Sequence, residues 1–356
     1  MRSEPVMPPW FFDAHCDTFL RVVENGAEFE AAGGLHVTLP GLLAADARMQ
    51  VFAAWTLAER LQGEEDQAAM RMVEAVAAAC RANPERMLLV RTASDLDAVE
   101  DGPGRVAAIC GLESADPLKG DPRALLRFQE AGVRVLTLAW GDNAFCGSCF
   151  GRGDGLSDKG EELVALCEEQ GVVVDVSHAS DTAFWDVCRV SEKPFIASHS
   201  NSRALCDSPR NLSDEMVRVL AERGGVVGLN LYSGFLSGEF AAELTRFYKD
   251  LEKRPGSVDL SFDEKGALVT DFQASLPHPP LSLVVDHIKH LISVGGEDCV
   301  GLGGDLDGCD SLPEGLDSVL DYPKIAARLR ESGLSSSQVA KVCHGNFARV
   351  FRDLLP

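Results

Sequence analysis

An α/β protein folded as a single (β/α)8 TIM-like barrel over residues 1–356 is the fold class this sequence predicts. Eight apolar, β-rich runs alternate with helical stretches along nearly the whole chain, the pattern of strand–helix repeats closing on themselves. Most of the runs are continuously apolar instead of alternating, as strands buried on both faces of a parallel sheet must be. Residues of metal-ligand type stand just past several of them, at the end of the barrel where such folds carry their sites.

The predicted strands are 10–14, 50–55, 106–112, 133–138, 172–176, 195–198, 225–230 and 299–303. Helical patterns fill 64–82, 122–131, 160–170, 182–188, 213–223 and 283–294. Ser213-Asp214-Glu215 offers a capped, acidic helix start, favourable against the helix dipole. Gly132, Gly171 and Gly224 fall just past helix ends, where a left-handed residue is wanted. Residues 232–280 mix Gly, Pro and charge around an amphipathic piece at 239–251. A stretch this long is expected to be an insertion or lid over the catalytic face. The tail, 335–355, reads as helix packed on the outside of the barrel.

The 356 residues are 46% hydrophobic, enough for a large core, and carry a net charge of −22. That charge argues against nucleic acid or an anionic membrane as partner and for solubility. Residues 1–9 contain no apolar h-region and the chain no 18-residue apolar span, so the expected location is cytoplasmic. A homodimer is left open. Eleven scattered cysteines read as buried thiols, and Cys146-Gly147-Ser148-Cys149 lacks the second pair or the helix start that zinc or redox chemistry would need. Gly301-Leu302-Gly303-Gly304 is followed by an acidic turn and not a helix, which excludes a dinucleotide loop.

His15-Cys16-Asp17 closes the first strand. Side chains two apart on a strand share a face, so His15 and Asp17 can be offered to one ion, although H-x-D also arises by chance. Glu113 ends the 106–112 run; it is placed to bridge two metals, or else to pair with a nearby Lys or Arg. His178 and His199 each follow a strand and sit beside serine. Each is either a hydrogen-bonded core histidine or one of a ligand pair, for which imidazole suits zinc. Asp305 follows Gly301, Gly303 and Gly304, small residues that would let metal or substrate approach. Asp305 is a candidate to move a proton, with Asp307-Gly308 the better owner of an Asx turn. His287 and His290, three apart on one helix, read as structural; His36, His278 and His344 have no evident partners. A metal centre of this kind makes a hydroxide nucleophile at neutral pH, as a hydrolase requires.

The block from Pro194 through Ser198-His199-Ser200-Asn201-Ser202-Arg203 to Arg210-Asn211-Leu212 resembles the signature of the renal (membrane) dipeptidases, zinc hydrolases of the amidohydrolase superfamily. Asp13–Asp17, Asp175–His178, the TAFWD of 182–186 and the GGDLDG of 303–308 match in the same order, so the resemblance runs from Phe12 to about Arg349. It implies two zinc ions, one on His15 and Asp17 and one on His178 and His199, bridged by Glu113. It implies a dipeptide as the small-molecule substrate, D-residues being accepted on the C-terminal side in much of the family. Asp305 would shuttle the proton and Arg210 would pair with the substrate's carboxylate in a fork that lysine cannot copy; the plain alternative for Arg210 is a surface salt bridge. One departure stands out: Trp140 occupies the place of a family histidine that contacts substrate. Indole donates but neither accepts nor carries charge, so the departure bears on substrate orientation and not on the metals. It keeps open a different amidohydrolase reaction, on N-acyl amino acids or lactones. A metal-binding protein without catalysis is the rival from outside the hydrolases.

Overall fold

The structure, a computed structural model, describes residues 9–356 apart from 101, 103, 255 and 257–259. Among the described residues nine strands form one parallel sheet: β1 (Phe11–Cys16), β2 (Ala47–Trp55), β3 (Met87–Leu89), β4 (Val106–Glu113), β5 (Val133–Thr137), β6 (Val173–Asp175), β7 (Ile196–Ala197), β8 (Val226–Leu229) and β9 (Val300–Leu302). β1 pairs with both β2 and β9, and β2 pairs with β4, so eight strands close into a barrel. The expected eight strands are all present. The ninth, β3, lies beside the start of β4, on the edge that β5 uses further along.

Helices Glu65–Ala82, Asp158–Gln170, Asp181–Val190, Asp214–Glu222, Leu281–Gly295 and Tyr322–Glu331 alternate with the strands. Ser157, Ser180 and Ser213 each accept a backbone N–H of the first turn, contacts worth about 1 kcal/mol apiece. Gly132, Gly171 and Gly224 all have positive φ, as the helix ends demanded.

The inner face of the barrel is built by alternation. Met49 and Val51 of β2, Ala107 and Ile109 of β4, Val135, Val173, Ile196 and Val226 form one buried cluster with Phe12 and Ala14. The tail closes this cluster from below, which corrects the expectation that it packs outside. Phe347 and Phe351 of helix Asn346–Leu354 lie 5.6 and 5.1 Å from Phe12. A Cβ on Gly301 would sit 2.3 Å from the Phe347 ring, so that glycine makes room for the plug. Periodicity shows which face of a helix is apolar, not what covers it.

The insertion leaves the C-terminal end of β8 as helices Ser233–Leu236, Gly238–Glu252 and Phe262–Ser275. It buries its own small core around Phe240, Leu244 and Val269, with Phe247 stacked on Phe272 at 4.2 Å. Ser233 N–H donates to the Ser311 carbonyl and Thr270 to Asp310, which fastens the insertion to the segment after β9.

Candidate metal centre

Each strand delivers its polar residue by the same geometry that buries its apolar ones. Ala107, Ile109, Gly111 and Glu113 alternate along β4, so the periodicity that turns Ile109 inward brings Glu113 to the mouth of the barrel. His15 arrives differently from the sequence argument. Asp13 pairs with Gln50 and Cys16 with Phe52, three steps against two, so β1 carries a bulge. The extra residue reverses the alternation: Ala14 belongs to the inner cluster and Cys16 to the outer. Asp17 lies past the strand, as the residue before helix Thr18–Asn25. The two meet nonetheless, with His15 Nε2 3.4 Å from Asp17 Oδ2. His178 follows β6 in a left-handed conformation, φ 66°, and His199 follows β7.

Five side chains converge. His15 Nε2 is 3.5 Å from Glu113 Oε2, His178 Nε2 is 3.0 Å from Glu113 Oε1, and His199 Nε2 is 3.6 Å from Glu113 Oε1. The two Nε2 atoms of His178 and His199 are 3.0 Å apart. No lysine or arginine reaches Glu113 among the described residues, which sets aside its reading as an ordinary loop ion pair. Ligand atoms of a tetrahedral ion with bonds near 2.0–2.1 Å stand about 3.3–3.4 Å apart, and these separations bracket that value. His15 Nε2 and Asp17 Oδ1 are buried without a hydrogen-bond partner, a costly state for polar atoms in a protein interior that a cation would relieve. The donor set, imidazole nitrogen with carboxylate oxygen, suits zinc. His15, Glu113 and His199 form one group of donors within 4.8 Å, and His15, Asp17 and Asp305 another.

Behind the histidines a buried network fixes the tautomer of His199. Asp175 accepts the Ser198 hydroxyl at 2.5 Å, the Thr137 hydroxyl at 2.6 Å and the N–H groups of Ser177 and Ser198. With its proton committed to Asp175, Ser198 Oγ is an acceptor for His199 Nδ1–H at 2.7 Å. Nε2 of His199 is thereby left as a bare lone pair facing Glu113. Burial holds His178 and His199 well below the ordinary histidine range, helped by the positive charges of Arg210 and His15. Burial works against a charge on His15, but Glu113 and Asp17 outweigh it and hold His15 high. Burial, with the Asp17 charge, pushes Glu113 up to about 8. So much negative charge in so small a space calls for cations.

Asp305 sits beside this group at φ 57°. Its carboxylate accepts from Asn230 Nδ2 at 2.9 Å, and burial lifts its pKa to about 6. The flanking glycines serve packing and not ligand approach: a Cβ on Gly303 or Gly304 would strike the Ser198 carbonyl or the Tyr322 hydroxyl. Arg210 is 2% exposed, so it is no surface salt bridge. It donates from Nη1 to Ser200 Oγ at 2.9 Å, while Nε and Nη2 have no partner. Trp140 is half-buried, edge-on to Trp55 at 5.1 Å and 6.2 Å from the His178 ring.

Trp55 and Asn230 are absent from the sequence expectations, and Asp175 enters them only as part of a matching motif, with no role. Trp55 is the register partner of Glu113, and its indole N–H is buried and unpaired. A signal existed for Asp175, a carboxylate ending an otherwise apolar run. His287 and His290 are structural as expected, bonded to Ser202 N–H with Leu236 O and to Asp214. His36, thought partnerless, accepts the Asp307 N–H, and Asp307 ties down Thr18, His36 and Val37. His278 bonds the Leu312 carbonyl and His344 stacks on Trp10. All eleven cysteines are free, and Cys149 donates its N–H to the His178 carbonyl.

A family model described as membrane dipeptidase, peptidase family M19, matches residues 7–354. An uncharacterized protein from the pqqA 5′ region of Klebsiella pneumoniae is 31% identical over 277 residues, 76% of this chain and 89% of its own length. Dipeptidase 3 of Rattus norvegicus is 28% identical over 313 residues, 86% of this chain; this chain spans 56% of that relative's length. The solved structure of a metallopeptidase from Rhodobacter sphaeroides, bound to a phosphinate mimic of the dipeptide L-Ala-D-Ala, superimposes with a TM-score of 0.80 at 26% identity, covering 98% of this chain and 100% of the other. Among the described residues no helix is long and apolar enough to cross a membrane. With the fold, the cluster of donors and the family model in agreement, this chain belongs to the membrane dipeptidase family of metallopeptidases.

Proposed function

We propose that the protein is a dinuclear zinc dipeptidase that hydrolyses the amide bond of dipeptides, including those with a D-residue at the C-terminal side. The observation that carries this reading is the ring of donor atoms about Glu113, five separations of 3.0–3.6 Å among side chains that, among the described residues, have no lysine or arginine ion-pair partner. His15 and Asp17 would hold one zinc, His178 and His199 the other, and Glu113 both. Zinc bound there would supply a Lewis acid for the peptide carbonyl and a water acidified toward neutrality.

The remaining work falls to the chain itself. Asp305, with a pKa of about 6, is poised to take a proton from the attacking water and pass it to the leaving amine near neutral pH. Arg210 offers two unpaired N–H groups, the fork that a substrate carboxylate fills. The phosphinate mimic of L-Ala-D-Ala bound by the Rhodobacter relative supports a small dipeptide and a D-residue.

The test is metal content beside turnover. Protein purified with added zinc is expected to hold two zinc ions per chain and to cleave L,L- or L,D-Ala-Ala, with activity lost on chelation and restored by zinc. His199→Ala is expected to lose one ion and nearly all turnover. Full activity after exhaustive chelation would end the reading. Turnover of N-acetyl amino acids in place of dipeptides would move it to the neighbouring amidohydrolase reaction, which uses the same carboxylate grip.

A further inference from the structure

Asn230 stands one residue past β8, fully buried, between the metal-centre cluster and the root of the insertion. Its backbone is held on both sides by one side chain: Asn201 Oδ1 accepts its N–H at 3.1 Å, and Asn201 Nδ2 donates to its carbonyl at 2.9 Å. That pair of bonds stands in for a ladder rung where the strand has ended. The side-chain amide of Asn230 is then oriented without ambiguity. Oδ1 accepts the Tyr232 N–H at 2.7 Å, and a backbone N–H can only donate. Nδ2 must therefore be the atom turned toward Asp305, where it donates to Oδ2 at 2.9 Å. This is the hydrogen bond that the Asp305 carboxylate makes to a side chain among the described residues.

Asp305 itself has little freedom in its main chain. Its N–H donates to the His15 carbonyl at 3.2 Å and its carbonyl accepts from Gly308 and Cys309. What the main chain leaves open is the rotation of the carboxylate, and the Asn230 amide closes it. With Oδ2 occupied, Oδ1 faces the side of Asp17: both Asp305 Oδ1 and Asp17 Oδ2 press on Gly308, at 2.5 and 2.1 Å from where its Cβ would be.

We propose that Asn230 is the positioning residue of Asp305, holding one carboxylate oxygen so that the other is presented to the reacting water, and that the Tyr232 N–H at the root of the insertion sets the amide's direction. This rests on the proposed role of Asp305 as proton carrier. It adds a residue that touches neither substrate nor metal and acts through another.

Asn230→Asp keeps the shape and the acceptor for Tyr232 N–H but removes the donor. It is expected to lower kcat for Ala-Ala about ten- to a hundredfold, with KM within about twofold and both zinc ions retained. In a crystal of the zinc-free variant, the Asp305 carboxylate is expected to turn off its wild-type rotamer. In an Asp305→Asn background the same substitution should cost less than about twofold, since a residue acting through Asp305 has nothing left to act on. Tyr232 has φ −62°, which proline accepts. If Asn230→Asp fails to fold, Tyr232→Pro against Tyr232→Ala isolates the N–H, and only the proline variant should lose kcat beyond the loss of the ring. An unmoved Asp305 rotamer, or equal losses in the wild-type and Asp305→Asn backgrounds, overturns the proposal. Wild-type protein that cleaves no dipeptide, with the rotamer change still seen, overturns the reading of Asp305 as proton carrier while leaving the positioning itself in place.

Discussion

Ser198 donates its hydroxyl to Asp175 at 2.5 Å, and this one bond decides which nitrogen of His199 is free. A serine hydroxyl has a single proton; once Asp175 takes it, Ser198 can only accept from Nδ1–H. His199 thus presents its Nε2 lone pair before any ion arrives, and no tautomer exchange is needed on binding. Ser198→Ala leaves Nδ1 unpartnered in a fully buried site and allows the wrong tautomer. Zinc affinity, measured by competition with a chelating dye, is expected to fall about ten- to a hundredfold with the fold intact by circular dichroism. An unchanged competition curve would remove the relay from the account.

Arg210 carries a charge with two N–H groups that the protein leaves unsatisfied. Burying such a group is costly unless a partner completes it, and a substrate carboxylate would be such a partner. Arg210→Ala should raise KM for free dipeptides about thirtyfold or more, in line with the loss of a buried charge-assisted pair at about 2 kcal/mol or above. C-terminally amidated dipeptides, which bring no carboxylate, should be affected far less. Equal effects on the two substrates would refute the pairing.

His15, Glu113, His178, His199 and Asp305 could be picked out from sequence because each stands at or just past the end of a strand, and the strands were legible as continuous apolar runs; Arg210, on a loop beyond β7, came only with the family resemblance. β3 was passed over although Met87-Leu88-Leu89-Val90 is an apolar run: it pairs only beside the start of β4 and is not one of the eight strands that close the barrel, so the count of eight was complete without it. The pairing of His15 with Asp17 was anticipated through a same-face argument that the structure replaces: a bulge in β1 and the start of the next helix bring them together. Bulges leave no composition signal. Asn230 and Trp55 stayed hidden for a related reason. Their roles depend on which atoms two chain-distant segments bring together, at 2.9 Å for Asn230 and Asp305 and 5.1 Å for Trp55 and Trp140, and spacing along one strand says nothing of that.

Trp140 and Trp55 meet edge-to-face beside His178, so a substrate side chain entering there would find aromatic surface in place of a titratable group. Such contacts are worth about 0.5–1.5 kcal/mol. Trp140→Ala is expected to raise KM for dipeptides with a large apolar side chain about three- to tenfold and to leave Ala-Ala within about twofold. A uniform loss across small and large substrates would mean that Trp140 shapes the metal centre and not the side-chain pocket.

At the opposite end of the barrel, His344 stacks on Trp10 at 4.0 Å within 16° of parallel. Burial, with the positive charge of Arg48, lowers its pKa from the ordinary 6.5 to about 4. The native state therefore keeps the ring neutral where the unfolded chain takes up a proton. Because the unfolded state binds more protons in that window, stability is full above about pH 6.5, declines as pH falls toward 4, and gains no further loss from this group below that. His344→Phe retains the stack and removes the titration. The difference in urea midpoint between wild type and His344→Phe is expected to shift steadily in favour of the variant from pH 7 to pH 4.5, while the carboxylates of the metal centre, common to both proteins, cancel in the comparison. A difference independent of pH would show that the imidazole is already charged, or solvated, in the folded protein.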